Sequence, residues 1–443
     1  MAVVGAVAAA VVPVPAGPAH GQAGEGDGGA RVGRTVILRA GTRDAHTFVP
    51  PPRSAVRGEG PLSTFSISYN AAFPSAARTA FERAADIWAS LLASPVAIRV
   101  RAEYVSLGPG VLAGAGPGDY RINFEGAPLA DTWYPIALAE ALAGANLNGT
   151  GNDITVSFNV RNDWYFGTDG QTPSGRFDFL SVALHELGHG LGFIGSMAVS
   201  GSTGSWGAGT GQPDAFDTFL QDGQGRALLD TSVYPNPSAN LGAALRSADV
   251  HFSSPRTNRS AAGRPTLYAP PQWESGSSIY HTDEDTYPPG SAQSLMTPVL
   301  DPAEAEHGPG PMTLCMLAAM GWSTAGACDP PAATEAAGFT WYSDGTISRG
   351  GPGPVTVTAY ATGAARSTTH QLVTGLDGGI HHPCMYDVAP LNPAARFSNN
   401  RGFIGNTTGT VARLPGRWQV CFLEVGSGAT LLVTGAVTVT VQE

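Results

Sequence analysis

The 443-residue chain is long enough for two or three domains, and its 42% hydrophobic and 13% charged residues describe a globular protein with a sparsely charged surface. Every basic residue is arginine, the formal net charge is −11, and no basic cluster stands out, which argues against a nucleic-acid partner. No apolar run is long enough to cross a bilayer as a helix, so a transmembrane protein is not expected.

Residues 1–20 form a short apolar run followed by small residues and proline, like the core and cleavage region of a secretory signal, although a basic start is missing. They predict a secreted, extracellular protein; the alternative is an alanine-rich tail. Residues 21–62 are rich in Gly, Ala, Pro and Arg, with one strand-like run at 35–39, and read as a prosegment or a linker.

Regular structure is expected from residue 63. TFSISY at 64–69 alternates in polarity and predicts a strand. Pro74 then opens a run of good helix formers over 75–94, and VAIRVRAEYVSL at 96–107 predicts a second strand. Strand, helix, strand is the entry to an α+β domain with a twisted mixed sheet. Residues 108–119 read as a Gly/Pro loop, 120–124 as a short strand and 153–160 as a clearer one. That last strand either borders a cleft, where it could pair with an extended peptide, or lies inside the sheet.

The most informative stretch is FLSVALHELGHGLGFIGSM at 179–197. Asp178 is a suitable N-cap, and Leu180, Leu184, Leu187 and Leu191 form one apolar stripe. His185 and His189 stand four apart, on one helix face, so both imidazoles can meet one metal ion with Glu186 beside the open position. That is the arrangement a hydrolytic zinc site needs. Gly192 suits a left-handed turn that ends the helix.

Residues 200–264 read as an insertion of short elements. A helix is expected over 311–320, a linker over 329–337, and a β-sandwich over 338–443, where short β-rich runs alternate with Gly, Pro and Asn. The four cysteines favour the pairs Cys315–Cys328 and Cys384–Cys421, one per segment, in an oxidising compartment; the alternative is four free thiols.

His185, Glu186, His189 and Gly192, followed far downstream by SLMTP at 294–298, resemble the metzincin zinc proteases. The short motif of that family would place a third histidine where Gly195 stands. The sequence is therefore similar to the leishmanolysin-like arrangement, in which an insertion separates the second and third ligands. The resemblance covers roughly residues 63–322, within a catalytic domain expected over 63–328. It implies one catalytic Zn2+ on His185, His189 and His281, with Glu186 as general base, Met296 in a structural Met-turn and Gly192 turning the chain. It implies an endopeptidase acting on protein or peptide substrates. Other third ligands remain open: His251, His307, Glu274, Glu284, Asp214 and Asp217. Tyr287 could face an oxyanion or merely pack. Asp283, Glu284 and Asp285 read as a solvated loop, because the spacing of a calcium loop is missing and calcium is unsupported. The competing function is a secreted adhesion or binding protein with a structural or degenerate zinc site, whose C-terminal domain binds a surface or substrate.

Overall fold

The computed structural model describes residues 29–52, 62–324 apart from Ala262 and the side chain of Arg259, Cys328, and the backbone of the strands between 340 and 442. The signal-like residues 1–20 and Cys384 lie outside the described residues.

The centre is a mixed six-stranded sheet. Its order is Val299–Leu300, Val36–Ala40, Val111–Pro117, Ile154–Asn159, Ile98–Val105 and Phe65–Tyr69. The last three run parallel, Val111–Pro117 is antiparallel to Ile154–Asn159, and Val36–Ala40 is antiparallel to Val111–Pro117 in turn. Val36–Ala40 and Val299–Leu300 are parallel.

Three expectations change here. Residues 108–119 are not all loop: Val111–Pro117 (VLAGAGP) is an interior strand, almost wholly buried. Glycine and alanine weaken strand propensity, but Gly114 and Gly116 let the next strand come close; a Cβ at Gly116 would collide with the Arg34 carbonyl oxygen. The strand Ile154–Asn159 lies between two neighbours, so it is an interior strand. And the run at 35–39, within the expected prosegment or linker, is a strand of the central sheet.

The helix Ser75–Ala89 follows Pro74 and packs against Phe179–Gly190. Trp88 joins them, donating its indole N–H to the Leu184 carbonyl at 3.0 Å. Phe73, Phe81, Phe158, Trp164 and Phe179 meet mostly edge to face in the same core. Burying each such ring stabilises the fold by roughly 1.5–3 kcal/mol. The helix Gly310–Met320 is buried along most of its length, and Cys315 is disulfide-bonded to Cys328. Residues 198–267 hold short strands, a single 3-10 turn (Phe216–Phe219) and two short helices.

After residue 340 the strands form a three-stranded and a five-stranded sheet, which include Val355–Thr362, Gly416–Val425 and Leu431–Gln442. Cys421 lies on the second of these. Among the described residues no helix is long and apolar enough to cross a membrane.

Candidate metal centre

The helix Phe179–Gly190 starts as its cap predicts. Asp178 accepts from the Ser181 backbone N–H at 2.8 Å and from its hydroxyl at 2.7 Å. His307 also bonds Asp178, at 3.0 Å, and therefore serves the helix start rather than the metal. All twelve helical residues are buried, including the face carrying the histidines. The expected apolar stripe is thus only part of a helix enclosed on every side.

Small residues make that enclosure fit. A Cβ at Gly188 would stand 2.9 Å from the Met296 sulfur, and one at Gly190 would collide with Ile154. Gly192 takes φ +128°, a conformation that side chains disfavour, and the chain turns there. A Cβ at Gly195 would collide with Asp217. Where a short motif would carry a third histidine, this chain has no space for a side chain.

The third imidazole comes from His281, 92 positions after His189. The Nε2 of His189 lies 2.9 Å from that of His185 and 3.3 Å from that of His281. Each ring uses its other nitrogen on a backbone carbonyl: His185 on Leu295 at 2.6 Å, His189 on Phe193 at 2.8 Å, and His281 on Ser277 at 2.8 Å. A carbonyl only accepts, so each Nδ1 carries the proton and each Nε2 turns a lone pair to the common centre. Burial, reinforced by the neighbouring imidazoles at His189 and His281, keeps the rings neutral; His185 is lowered to about 4.

Three lone pairs converging in a buried space repel unless a cation sits among them. Tetrahedral nitrogen ligands about 2.1 Å from a zinc ion stand about 3.4 Å apart, close to the spacing here. The donor set therefore fits a metal ion. Among the described residues it is the one cluster of metal-binding side chains close enough to do so.

Glu186 is fully buried, and neither carboxylate oxygen has a hydrogen-bond partner. Burial pushes its carboxyl well above the ordinary glutamate range. Met296 is buried below the helix, and its carbonyl accepts from the Thr282 N–H at 2.8 Å, tying the Met-bearing turn to the residue after His281. Tyr280 donates to Asp217 at 3.1 Å, and Asp217 also holds the Ser196 N–H at 2.8 Å.

The remaining candidates are employed elsewhere. His251 bonds Asp249, Glu274 pairs with Arg39 and Tyr268, and both carboxylate oxygens of Asp214 accept from the Arg31 Nη2. Tyr287 is buried, with its hydroxyl on the Thr266 N–H, so it packs. The acidic loop differs in part from its solvated expectation: Asp285 is exposed, but Glu284 turns inward and burial raises it to about 7. Sequence reasoning saw the strand-like run at 35–39 but not that Val36–Ala40 pairs against the segments carrying His281 and Met296. Its alternation was visible, but nothing local tied it to the histidines.

Comparison with known proteins adds little. A family model described as SPBPB7E8-like matches residues 133–235, which include the helix with His185 and His189 but not His281. No curated protein matches. Among solved structures, a Niemann-Pick type C2 protein from Japanese carpenter ant is similar over 24% of this chain and 91% of that chain, at 9% identity and a TM-score of 0.17, too low to indicate a shared fold.

Proposed function

We propose that the chain is a secreted zinc-dependent endopeptidase, with a metzincin-like α+β catalytic domain and a C-terminal β-sandwich as an accessory module. Glu186 carries this reading. A site that only braces the fold needs no carboxylate beside its ligands, and burying one without a hydrogen-bond partner costs several kcal/mol. Groups that costly are retained where protons move.

His185, His189 and His281 would hold the ion, which when bound acidifies a water and polarises a peptide carbonyl. The rest is done by the chain. The carbonyls of Leu295, Phe193 and Ser277 hold the three rings in one tautomer and orientation. Glu186, as the ionised carboxylate beside the ligands, takes a proton from the attacking water on a carboxylate oxygen and delivers it to the leaving amine nitrogen. Met296 packs against Gly188 under the helix and binds nothing.

The test compares wild-type and Glu186→Gln proteins, intact and after limited proteolysis, for zinc content and hydrolysis of an unfolded protein. We expect about one zinc per chain in both variants and hydrolysis by wild type alone. Equal hydrolysis by the two, or no zinc in either, sinks the reading. Zinc in both with hydrolysis in neither favours the structural site of an adhesion protein.

A further inference from the structure

The two edges of the central sheet are guarded differently. At one end stands Val299–Leu300, beside Val36–Ala40; at the other stands Phe65–Tyr69. Val299–Leu300 is two residues long and runs into Asp301 and Pro302. Short strands, charges and proline are what keep an edge from pairing with another chain. Phe65–Tyr69 (FSISY) has five residues, no charge, no proline and an unbroken register with Ile98–Val105. Among the described residues no strand pairs with its outer side.

The neighbouring strand fixes which main-chain groups point outward. Thr64 accepts from the Ile98 N–H at 2.8 Å, and Asn70 donates to the Ala102 carbonyl at 3.2 Å. Successive residues of a strand turn these groups to opposite sides, so Phe65, Ile67 and Tyr69 present N–H and C=O to the outside. That spacing is self-complementary. A second copy, related by a two-fold axis at Ile67, can pair antiparallel, Ile67 with Ile67 and Phe65 with Tyr69, each pair exchanging two hydrogen bonds. The side chains agree with this register. Phe65, Ile67 and Tyr69 are half-buried, and a groove of about 220 Å³ lies between the strand and the helix Ser75–Ala89, lined by Phe65, Ile67, Glu82, Ala85, Asp86 and Ala89. The helix runs against the strand. Arg78 lies over the Tyr69 ring at 4.9 Å, whereas the Ala89 carbonyl accepts from the Leu62 N–H at 2.7 Å, before the strand begins. Pairing Tyr69 with the partner's Phe65 therefore brings the exposed cation Arg78 towards the partner's Asp86, an exposed anion, and the two-fold axis makes this contact twice.

We propose that Phe65–Tyr69 is a self-pairing edge and that the protein forms a two-fold dimer, in which two six-stranded sheets join into one and Arg78 of each copy enters the groove of the other to meet the partner's Asp86. The occupant is a second copy rather than a foreign strand, because the main-chain spacing and the charges both complement themselves about Ile67. The metal centre stays outside the contact: the segments carrying His281 and Met296 bond Val36–Ala40, towards the other end of the sheet. The inference does not rest on the peptidase reading.

Sedimentation of the full chain from about 1 to about 100 μM tests it, and we expect a reversible monomer–dimer equilibrium within that range. Ile67→Pro removes one outward N–H, at a position where an edge strand tolerates proline. It should keep the melting temperature while weakening the dimer at least about tenfold. Arg78→Asp sets like charges together at both ends of the contact and should weaken the dimer by about tenfold; adding Asp86→Arg to it should restore the wild-type equilibrium. Without any substitution, about three amides within residues 64–70 should exchange hydrogen more slowly as the concentration of wild type rises. A chain that stays monomeric throughout, or a dimer that a folded Ile67→Pro protein still forms as tightly, overturns the proposal. Failure of the exchanged charges to restore pairing overturns it too, because the two-fold register makes that exchange neutral. Exchange within 64–70 that is independent of concentration also overturns it, and this readout decides the matter if Ile67→Pro does not fold.

Discussion

The two halves of the metal centre are built by different means. In Phe179–Gly190, a single helix turn brings His185 and His189 together, and any sequence that makes the helix makes their juxtaposition. In the half that carries His281, the ring is held by Ser277, by Thr282 bonded to Met296, and by Tyr280 bonded to Asp217 across the inserted segment. The first half depends on local periodicity; the second on contacts that exist only after the chain has closed. Ligands close in sequence are cheap to align, whereas the distant one must repay the entropy of a long loop.

The largest effect on this contrast is expected from His281→Ala. Loss of stoichiometric zinc, measured by metal analysis after dialysis, would make the distant half as necessary as the local one; full retention would remove His281 from the ligand set. Gly195→Ala comes next, because the added methyl meets Asp217 and Tyr280. It should cost about 1–3 kcal/mol in urea unfolding and loosen the distant half selectively. Asp217→Asn keeps the shape but weakens the anchor of Tyr280, and zinc affinity should fall by about 10-fold. In the local half, Asp178→Ala removes the helix cap and should cost about 1–2 kcal/mol while leaving zinc stoichiometry unchanged.

A pH series sharpens the comparison from the other side. Glu284, Glu304 and Glu306 border the distant half, and burial raises them to about 7, about 9 and about 7. Their folded values exceed the ordinary glutamate value of 4.5, so the stabilisation is complete below that pH and is lost progressively as pH rises from there to about 7 for Glu284 and Glu306 and to about 9 for Glu304. The denaturant midpoint should fall over that range, and Glu304→Gln should reduce the fall. A midpoint that rises instead would mean these carboxyls are ionised and compensated in the fold.

Of the fold, the legible parts were those with a strong local period. The helices at 75–89 and 310–320 and the strands at 65–69, 98–105 and 154–159 stand close to where the patterns put them. The strand Val111–Pro117 was illegible, because glycine and alanine carry almost no strand signal and only neighbouring backbones make them one. Of the site, Gly192 and the Asp178 cap could be read from their positions, but complete burial of the histidine face could not.

The sequence by itself determined that two imidazoles and a carboxylate share one helical turn, since a period of 3.6 residues is a property of the local chain. Only the tertiary structure decided that His281 joins them, that Glu186 has no partner, and that Val36–Ala40 lies in the central sheet against the segments that carry His281 and Met296. Those outcomes depend on strand pairing and loop closure across long sequence separations, where register is set by whatever else the sheet must satisfy.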